Sequence, residues 1–532
     1  MSEIDFKSST HPRHYLMHKY WGRKAHNLIE HLILKNTEPG DIVLDPYLGS
    51  GVSVIEAHKA NRIGIGYDLN PISSLITRVT LTEVDTNQLE KIGREIISNM
   101  PQDLVDLSWT VCPECRKPAK YNNAVWENSS LTRIKVTCEK HGLVKFDARN
   151  SDLKKVQQAE KILASGQGSG TFPIPDPELF SFVRRSGVKT LKGLFSSRNL
   201  AQIAYLSYQI DQVANEHVRD ALRITFTSML PNVSSMIPAD PLQVTGKSGW
   251  QISKFWVPKV HTEKDVTTSF LGRLNKISAG IQEMNGLRSG AEFATHTQSS
   301  SQMQQVKSQS VKLIIADPPY GDSIAYLGLS MFWNAWFDPD VAYESEVIID
   351  STRGKGVVDY AQRLLESFKE MRRVIRSDGK LIVTFNNRHM KYWKPLIQAI
   401  DVSGFELVRV EWIDQAVRSG TQGINHQNTL HGDFVYTYKP SEASPDHVKT
   451  TNGSEVVRKT ILQLLKKKGL VSSAELYVAL IPNLVGAMAF EDATGKDLDI
   501  DKEVSKYCDY NKQAALTDGR SGWSLKDDFE NN

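Results

Sequence analysis

Between residues 40 and 72 short apolar runs alternate with a glycine-rich break: DIVLD, PYLGSG, VSVIEAHKA, RIGIGYD. This order predicts strand, turn, helix, strand, a βαβ unit that implies a parallel sheet with right-handed crossovers. A second run of buried-strand type, VKLIIAD, follows a Gln/Ser-rich stretch at 295–310 that reads as a loop. It stops at a Pro-Pro pair, through which no strand continues. A helix at about 359–376 then leads through Ser377-Asp378-Gly379 into the apolar strand KLIVTF. Residues 198–230 carry apolar positions at helical spacing, around LAQIAYLSYQI and VRDALRITFTSML. The simplest assembly is one α/β, doubly wound sheet built from 1–95 and 306–440, interrupted by an insertion at 96–305. Within the insertion, SGQGSG at 165–170 reads as a flexible connection. The polar break PSEASPDHVKTTNGS sets off a small helical C-terminal domain at 454–532. Its segment VVRKTILQLLKKKGLVSSAELYVAL predicts helix, Gly turn, helix, with Ser472 or Ser473 as cap, and resembles half of a winged helix.

Composition bounds the class. A chain of 532 residues predicts two to four domains, and 40% hydrophobic with 23% charged residues suits a chain with a buried core. The 64 Lys+Arg against 61 Asp+Glu exclude a polycation or an acidic tail, but not a local basic face. The N-terminal segment is polar, and no run of 18 apolar residues occurs, so the expectation is a soluble, cytoplasmic protein without a membrane partner. Four cysteines cannot build a disulfide scaffold of the small secreted type.

Three of those cysteines are clustered. Cys112-Pro-Glu-Cys115 and Cys138-Glu-Lys-His141 form two knuckles separated by 22 residues. Three thiolates and an imidazole make a closed tetrahedral shell of the structural zinc type. Cys508 stands apart and reads as a partly buried thiol. His426 and His431, in a Gly/Asn loop, read as loop residues rather than ligands.

Asp45-Pro46-Tyr47-Leu48-Gly49-Ser50-Gly51 joins a strand to a helix. Its glycines let the backbone approach a ligand, and the helix N-terminus offers free N–H groups. Asp68 ends the next strand, where a ribose diol is bound in nucleotide folds. With no third glycine and no Gly-Lys-Ser/Thr, and with Asp45 ahead of the glycines, a ligand carrying positive charge fits better than a phosphate. Asp317-Pro318-Pro319-Tyr320 ends the strand VKLIIAD. A carboxylate, a stiff carbonyl before Pro319 and an aromatic face suit a planar heterocycle with an exocyclic amine.

LDPYLGSG, GYDLNP and IIADPPY, in that order, resemble the S-adenosylmethionine-dependent amino-group DNA methyltransferases. His18-Lys19-Tyr20-Trp21-Gly22-Arg23-Lys24 resembles the block that precedes the glycine loop there. The cysteine cluster, SRNLAQIAYLSYQI with ITFTSML, VPKVHTEKDV, and Tyr326-Leu327-Gly328-Leu329-Ser330 with Trp333 and Trp336 are similar to the zinc-ribbon-containing adenine-specific subgroup.

The resemblance implies a Rossmann-like methyltransferase sheet over 1–95 and 306–440. The insertion would carry a zinc ribbon at about 108–146 and a helical target-recognition region. S-adenosylmethionine would lie on Lys19, Trp21, Lys24, Asp45, Pro46, Gly49, Ser50, Gly51, Asp68 and Asn70. Asp317, Pro318, Pro319 and Tyr320 would be catalytic, and Cys112, Cys115, Cys138 and His141 would hold structural zinc. Methyl transfer to adenine N6 in double-stranded DNA is the activity implied, with a role and a partner protein in restriction–modification or defence. The family pattern is departed from at Tyr47, usually Phe, and at Val52-Ser53, usually Thr-Thr. Gly321 also resembles RNA guanine-N2 methyltransferases, which keeps an RNA substrate open, as does a non-catalytic nucleic-acid-binding role. The basic and aromatic residues Arg184, Arg185, Lys189, Lys192, Arg198 and Trp250 to Trp256 are candidates for phosphate and base contacts.

Overall fold

Runs of Ile, Val and Leu pack best on a pleated surface, and in a computed structural model of the chain they form the centre of one large sheet. The structure describes residues 2–3, 9–165, 172–185, 187–240, 242, 244–246, 250, 252–387, 389–414, 432–441, 451–511 and 522–526. Residues 166–170 of the expected linker and 442–450 of the polar break, together with His426 and His431, lie outside the described residues.

Strand Ile42–Asp45 is flanked in parallel by Ile63–Asp68 on one side and Val311–Ala316 on the other. Beyond Ile63–Asp68 lies Phe293–Thr297, also parallel. Beyond Val311–Ala316 lies Ile375–Phe385, parallel, followed by the antiparallel Gly432–Pro440 and then Phe405–Asp414. The fold is thus mixed α/β around a sheet of mostly parallel strands.

Alternate side chains enter different cores. Val43, Leu313, Ile315 and Ile382 join Leu28, Leu32, Val54 and Ile55 of helices His26–Asn36 and Val52–Lys59. Leu44, Ile314, Ala316, Leu381 and Val383 meet Leu364, Phe368, Trp393 and Leu396 of helices Val357–Val374 and Met390–Val402. Strands buried on both faces read as continuous apolar runs, which is why these were visible in the sequence.

Two segments differ from expectation. The chain re-enters the large sheet with Phe293–Thr297, inside the stretch read as insertion to 305 and overlapping the one read as loop from 295. This edge strand is half-buried and polar, so no apolar run marks it. Strand Ile375–Phe385 already contains Ser377-Asp378-Gly379: the register with the neighbouring strand jumps between Val311↔Ile375 and Leu313↔Lys380, a bulge rather than a turn before the strand.

The insertion carries a second, antiparallel sheet: Trp109–Val111, Pro118–Glu127, Ser130–Cys138, Gly142–Asp147, and a strand from far along the chain, Val260–Lys264. Helices Ser197–Asp211, Glu216–Val233 and Val266–Asn285 pack beside it in a core shared with Trp333 and Trp336. In the C-terminal segment Ser472 caps helix Ser473–Gly486 in a capping box with Glu475. Helix Ile500–Tyr507 and the hairpin Cys508–Asn511 with Gly522–Leu525 follow. Among the described residues no helix is long and apolar enough to cross a membrane.

Candidate active site

Strands Ile42–Asp45 and Val311–Ala316 are parallel neighbours, with Leu44 opposite Ile314, so their carboxyl ends open side by side. Strand order reverses between them, the position at which open α/β sheets bind ligands. The glycine turn and the Asp317 tetrad thereby share one cleft of about 1000 Å³, open mouth included. Of the residues expected to contact cofactor, Trp21, Lys24, Asp45, Pro46, Gly49, Ser50 and Asp68 line it, as do Asp317 and Pro319 of the tetrad.

Asp68 ties the turn together: its Oδ2 accepts the Gly49 N–H at 2.8 Å and its Oδ1 the Asn70 N–H at 2.9 Å. Burial pushes its carboxyl up to about 6, against those two hydrogen bonds. Burial pushes Asp45 further, to about 7, although Ser53 and the Tyr47 N–H hydrogen-bond to it. A cleft holding two carboxyls kept close to neutrality favours a ligand that brings positive charge.

Gly51, Asn70 and Lys19 stand behind the lining. Gly51 has φ +79°, and a Cβ there would sit 2.1 Å from Thr77 Oγ1, so it serves close packing of the turn on helix Pro71–Leu81. Gly51→Ala is therefore expected to destabilise the protein by about 2–4 kcal/mol from left-handed strain plus overpacking. Thermal unfolding checks this, and Thr77→Ala in the same chain should recover part of the loss. Asn70 is fully buried: its amide donates to Ser330 Oγ at 2.7 Å and its Oδ1 accepts from Asn334 at 2.9 Å. Lys19 Nζ donates to the Trp250 carbonyl.

The tetrad is held from three sides. Asp317 Oδ1 accepts the Tyr320 and Thr384 hydroxyls, each at 2.8 Å, and lies 3.3 Å from Lys24 Nζ. Among the described residues no donor reaches Oδ2, nor the Pro318 carbonyl. The Pro319 carbonyl accepts the Tyr360 hydroxyl at 2.7 Å and the Gly321 N–H at 3.0 Å. The Tyr320 ring packs edge-on against Phe385, with Lys24 Nζ 5.4 Å from its centroid. A Cβ at Gly321 (φ +69°) would lie 2.5 Å from Tyr392, so local packing accounts for that glycine.

Several residues that the sequence did not assign to the site belong to it. Tyr326 lines the cleft and stacks on Tyr20. Glu346 also lines it, accepts the Leu327 N–H at 3.0 Å and pairs with Arg353 at 2.6 Å. Asp433, at the start of strand Gly432–Pro440, reaches Lys24 Nζ at 3.1 Å. The one signal for Asp433 was a lone acid at the head of an apolar strand.

Cys112, Cys115, Cys138 and His141 are brought together, their ligand atoms all within 4.8 Å of one another. Cys115 Sγ and Cys138 Sγ are 3.6 Å apart, and His141 Nδ1 lies 3.7 Å from Cys112 Sγ and 3.8 Å from Cys138 Sγ. The first knuckle closes through Cys112 N–H to the Lys117 carbonyl and Arg116 N–H to the Cys112 carbonyl.

Two of the candidate DNA contacts are corrected. Arg198 is 2% exposed and pairs with Glu263 at 2.7 Å, over the Tyr121 ring. Trp250 is fully buried against Phe255, Phe332 and Trp333. Both belong to the core, Arg198 as a charge paired with Glu263 and Trp250 with its indole N–H on the Lys254 carbonyl, and neither is free to meet a phosphate or base. Arg185 and Lys189 remain exposed.

A DNA methylase family pattern matches residues 5–76, the block from the N-terminal segment through the glycine turn and Asp68 into the next helix. This block is similar to DNA methylases. Among curated proteins, the Type II methyltransferase M.MjaII of Methanocaldococcus jannaschii is 33% identical over 82 residues, 15% of this chain and 16% of its own length. The Type II methyltransferase M.HpaI of Haemophilus parainfluenzae is 34% identical over 152 residues, 28% of this chain and 43% of its own. The chain thus spans less than half the length of these relatives. The solved antibiotic-resistance methyltransferase Kmr shares 15% identity over 32% of this chain and 72% of its own, at a TM-score of 0.17, too slight a likeness to bear on fold or function.

Proposed function

We propose that the protein is a DNA methyltransferase that uses S-adenosylmethionine and acts on the N6 amine of adenine, in restriction–modification or another defence role. One observation carries this: the glycine turn with Asp45 and Asp68, and the carboxylate of Asp317, face a single cleft. S-adenosylmethionine, when bound, supplies an electrophilic methyl on a positively charged sulfur. Gly49 and Ser50 offer the close backbone approach and Asp68 the acceptor for a ribose diol, while Asp45 answers positive charge. Asp317 Oδ2 and the Pro318 carbonyl are two acceptors for the two hydrogens of an exocyclic amine. Pulling on them leaves the nitrogen lone pair free for attack, with the Tyr320 ring as a surface for a flipped base. The Asp at the head of the tetrad supports adenine over cytosine.

We read the Cys112, Cys115, Cys138 and His141 cluster as a structural zinc site. A tetrahedral ion with these ligands separates them by about 3.5–3.8 Å, which three of the ligand-atom pairs match at 3.6–3.8 Å. The insertion that it stiffens is proposed to face double-stranded DNA.

Sequencing the modified bases in DNA from cells that express the protein tests the reading: N6-methyladenine in a fixed context is expected. Unmodified adenines, or methyl groups on RNA or cytosine alone, would overturn it. Cofactor affinity should also depend on pH. Asp45 must lose its proton to meet a cation and Asp68 to accept from a diol, so affinity for S-adenosylmethionine is expected to rise between about pH 5 and 8, with protons released on binding. Calorimetry in buffers of different ionisation heat reads both. The empty protein has the opposite trend from these groups: a carboxyl raised above its unfolded value of about 4 withdraws stability as pH climbs from about 4 to 7.

A further inference from the structure

We propose that Lys24 and Asp433 form a charge-setting triad with Asp317, in which Lys24 is a positioning residue that holds the Asp317 carboxylate as an acceptor for the target amine. This rests on the methyl-transfer reading above; the family resemblance had implied a place for Lys24 at the cofactor. The geometry assigns it to the tetrad instead. Lys24 Nζ lies 3.1 Å from Asp433 Oδ2, 3.3 Å from Asp317 Oδ1 and 2.7 Å from the Tyr320 hydroxyl. An ammonium carries three hydrogens, and three acceptors surround it. The Lys24 and Asp433 side chains are 12% and 8% exposed and that of Asp317 28%, so removing the cation leaves negative charge in a largely desolvated cluster.

The bonding pattern fixes direction as well as charge. Tyr320 accepts from Lys24 and passes its own hydrogen to Asp317 Oδ1, which also takes the Thr384 hydroxyl. All three contacts fall on Oδ1, so Oδ2 is left for an incoming N–H. Among the described residues, the other titratable groups facing Asp317 are Asp45 from the adjacent strand and Tyr326 across the cleft. Burial raises the Asp317 carboxyl, Lys24 draws it back, and Asp433 pushes it up again. Lys24 itself is held above the usual lysine range because the two carboxylates outweigh its burial. Without the ammonium, two carboxylates that both sit within 3.3 Å of one nitrogen would share a proton. A protonated Asp317 becomes a donor and loses its pull on the amine.

The test uses the full chain with S-adenosylmethionine and mixed-sequence duplex DNA, comparing wild type, K24M, D433N and K24M/D433N. Single-turnover transfer of labelled methyl is followed from about pH 5.5 to 9.5. K24M is expected to slow transfer about 100-fold at pH 7 and to move the rising limb of the pH profile up by more than about one unit. Adding D433N, which removes the second anion, should bring the limb back and recover at least about tenfold. An unmoved limb in K24M, or a double variant no better than K24M, overturns the triad. Thermal melting of the same four proteins at about pH 5.5 and 8 reads the coupling without any transfer. K24M should lose more at the higher pH, and D433N should relieve that loss; additive losses at both values overturn the triad. A wild type that transfers no methyl overturns the methyl-transfer reading, and the melting cycle then decides the triad alone.

Discussion

Asp317→Ala is expected to lower single-turnover methyl transfer by about 10³-fold or more while changing S-adenosylmethionine affinity by less than about threefold. The asymmetry follows from where the side chain stands. Oδ1 is committed to Tyr320, Thr384 and Lys24, all parts of the tetrad's own support, and only Oδ2 remains for a ligand. The glycine turn is organised by a different carboxylate, Asp68, through Gly49 and Asn70, so the cofactor half of the cleft does not depend on Asp317. Asp317→Asn separates shape from charge. It keeps the volume and one oxygen for the Tyr320 and Thr384 hydroxyls, yet it sets an NH2 donor at the Oδ2 position where the amine hydrogen would arrive, and it leaves Asp433 as the anion beside Lys24. A loss of about 10²-fold is expected for it. Labelled-methyl transfer to duplex DNA and calorimetry with S-adenosylmethionine measure the two quantities separately. Equal transfer by Asp317→Ala would remove the tetrad from the chemistry altogether.

How much of this site the sequence could disclose depended on how far apart its parts lie along the chain. The turn Asp45–Gly51 and the tetrad Asp317–Tyr320 were legible because each compresses its chemistry into adjacent residues at the end of an apolar strand. Their convergence followed from the sheet rule that such ends meet where strand order reverses. The contact between Lys24 and Asp433 was not legible, since it joins an N-terminal loop to the head of a late antiparallel strand. Charge was the least readable property of all. Arg198 looked like a surface cation because its partner Glu263 comes from a strand much later in the chain, one that completes the insertion's sheet. Asn70 was similarly ambiguous: the residue before Pro71 is placed to touch a ligand or to lock a helix to its neighbours. Its bonds to Ser330 and Asn334 show the second use.

Loss of the proposed zinc is the other change with a large expected effect, and its consequence should be local. Cys138→Ser, or a strong chelator acting on the wild type, is expected to melt the insertion's sheet while leaving the large sheet folded. A structural zinc of this ligand type contributes on the order of 10 kcal/mol to the folding of the element it closes. The cluster joins the turn after Trp109–Val111 to the hairpin between Ser130–Cys138 and Gly142–Asp147, and the hydrophobic core beneath it is small, centred on Ala119, Tyr121, Ile134 and Val136. Too little apolar surface lies there to hold those strands without a cross-link. The far side of that sheet is fastened differently. Strand Val260–Lys264 pairs along Pro118–Glu127, and Glu263 binds both Trp126 Nε1 at 2.6 Å and Arg198 at 2.7 Å. Disorder should therefore begin at the knuckles and stop at that strand. Hydrogen exchange of residues 109–147 against 260–264 and 311–316, with zinc content measured on the same samples, resolves this gradient. Uniform protection with the metal removed would show that the four ligands only happen to lie close. With the gradient present, cofactor affinity should survive while duplex DNA affinity falls, because the glycine turn and Asp68 draw no support from the insertion's sheet.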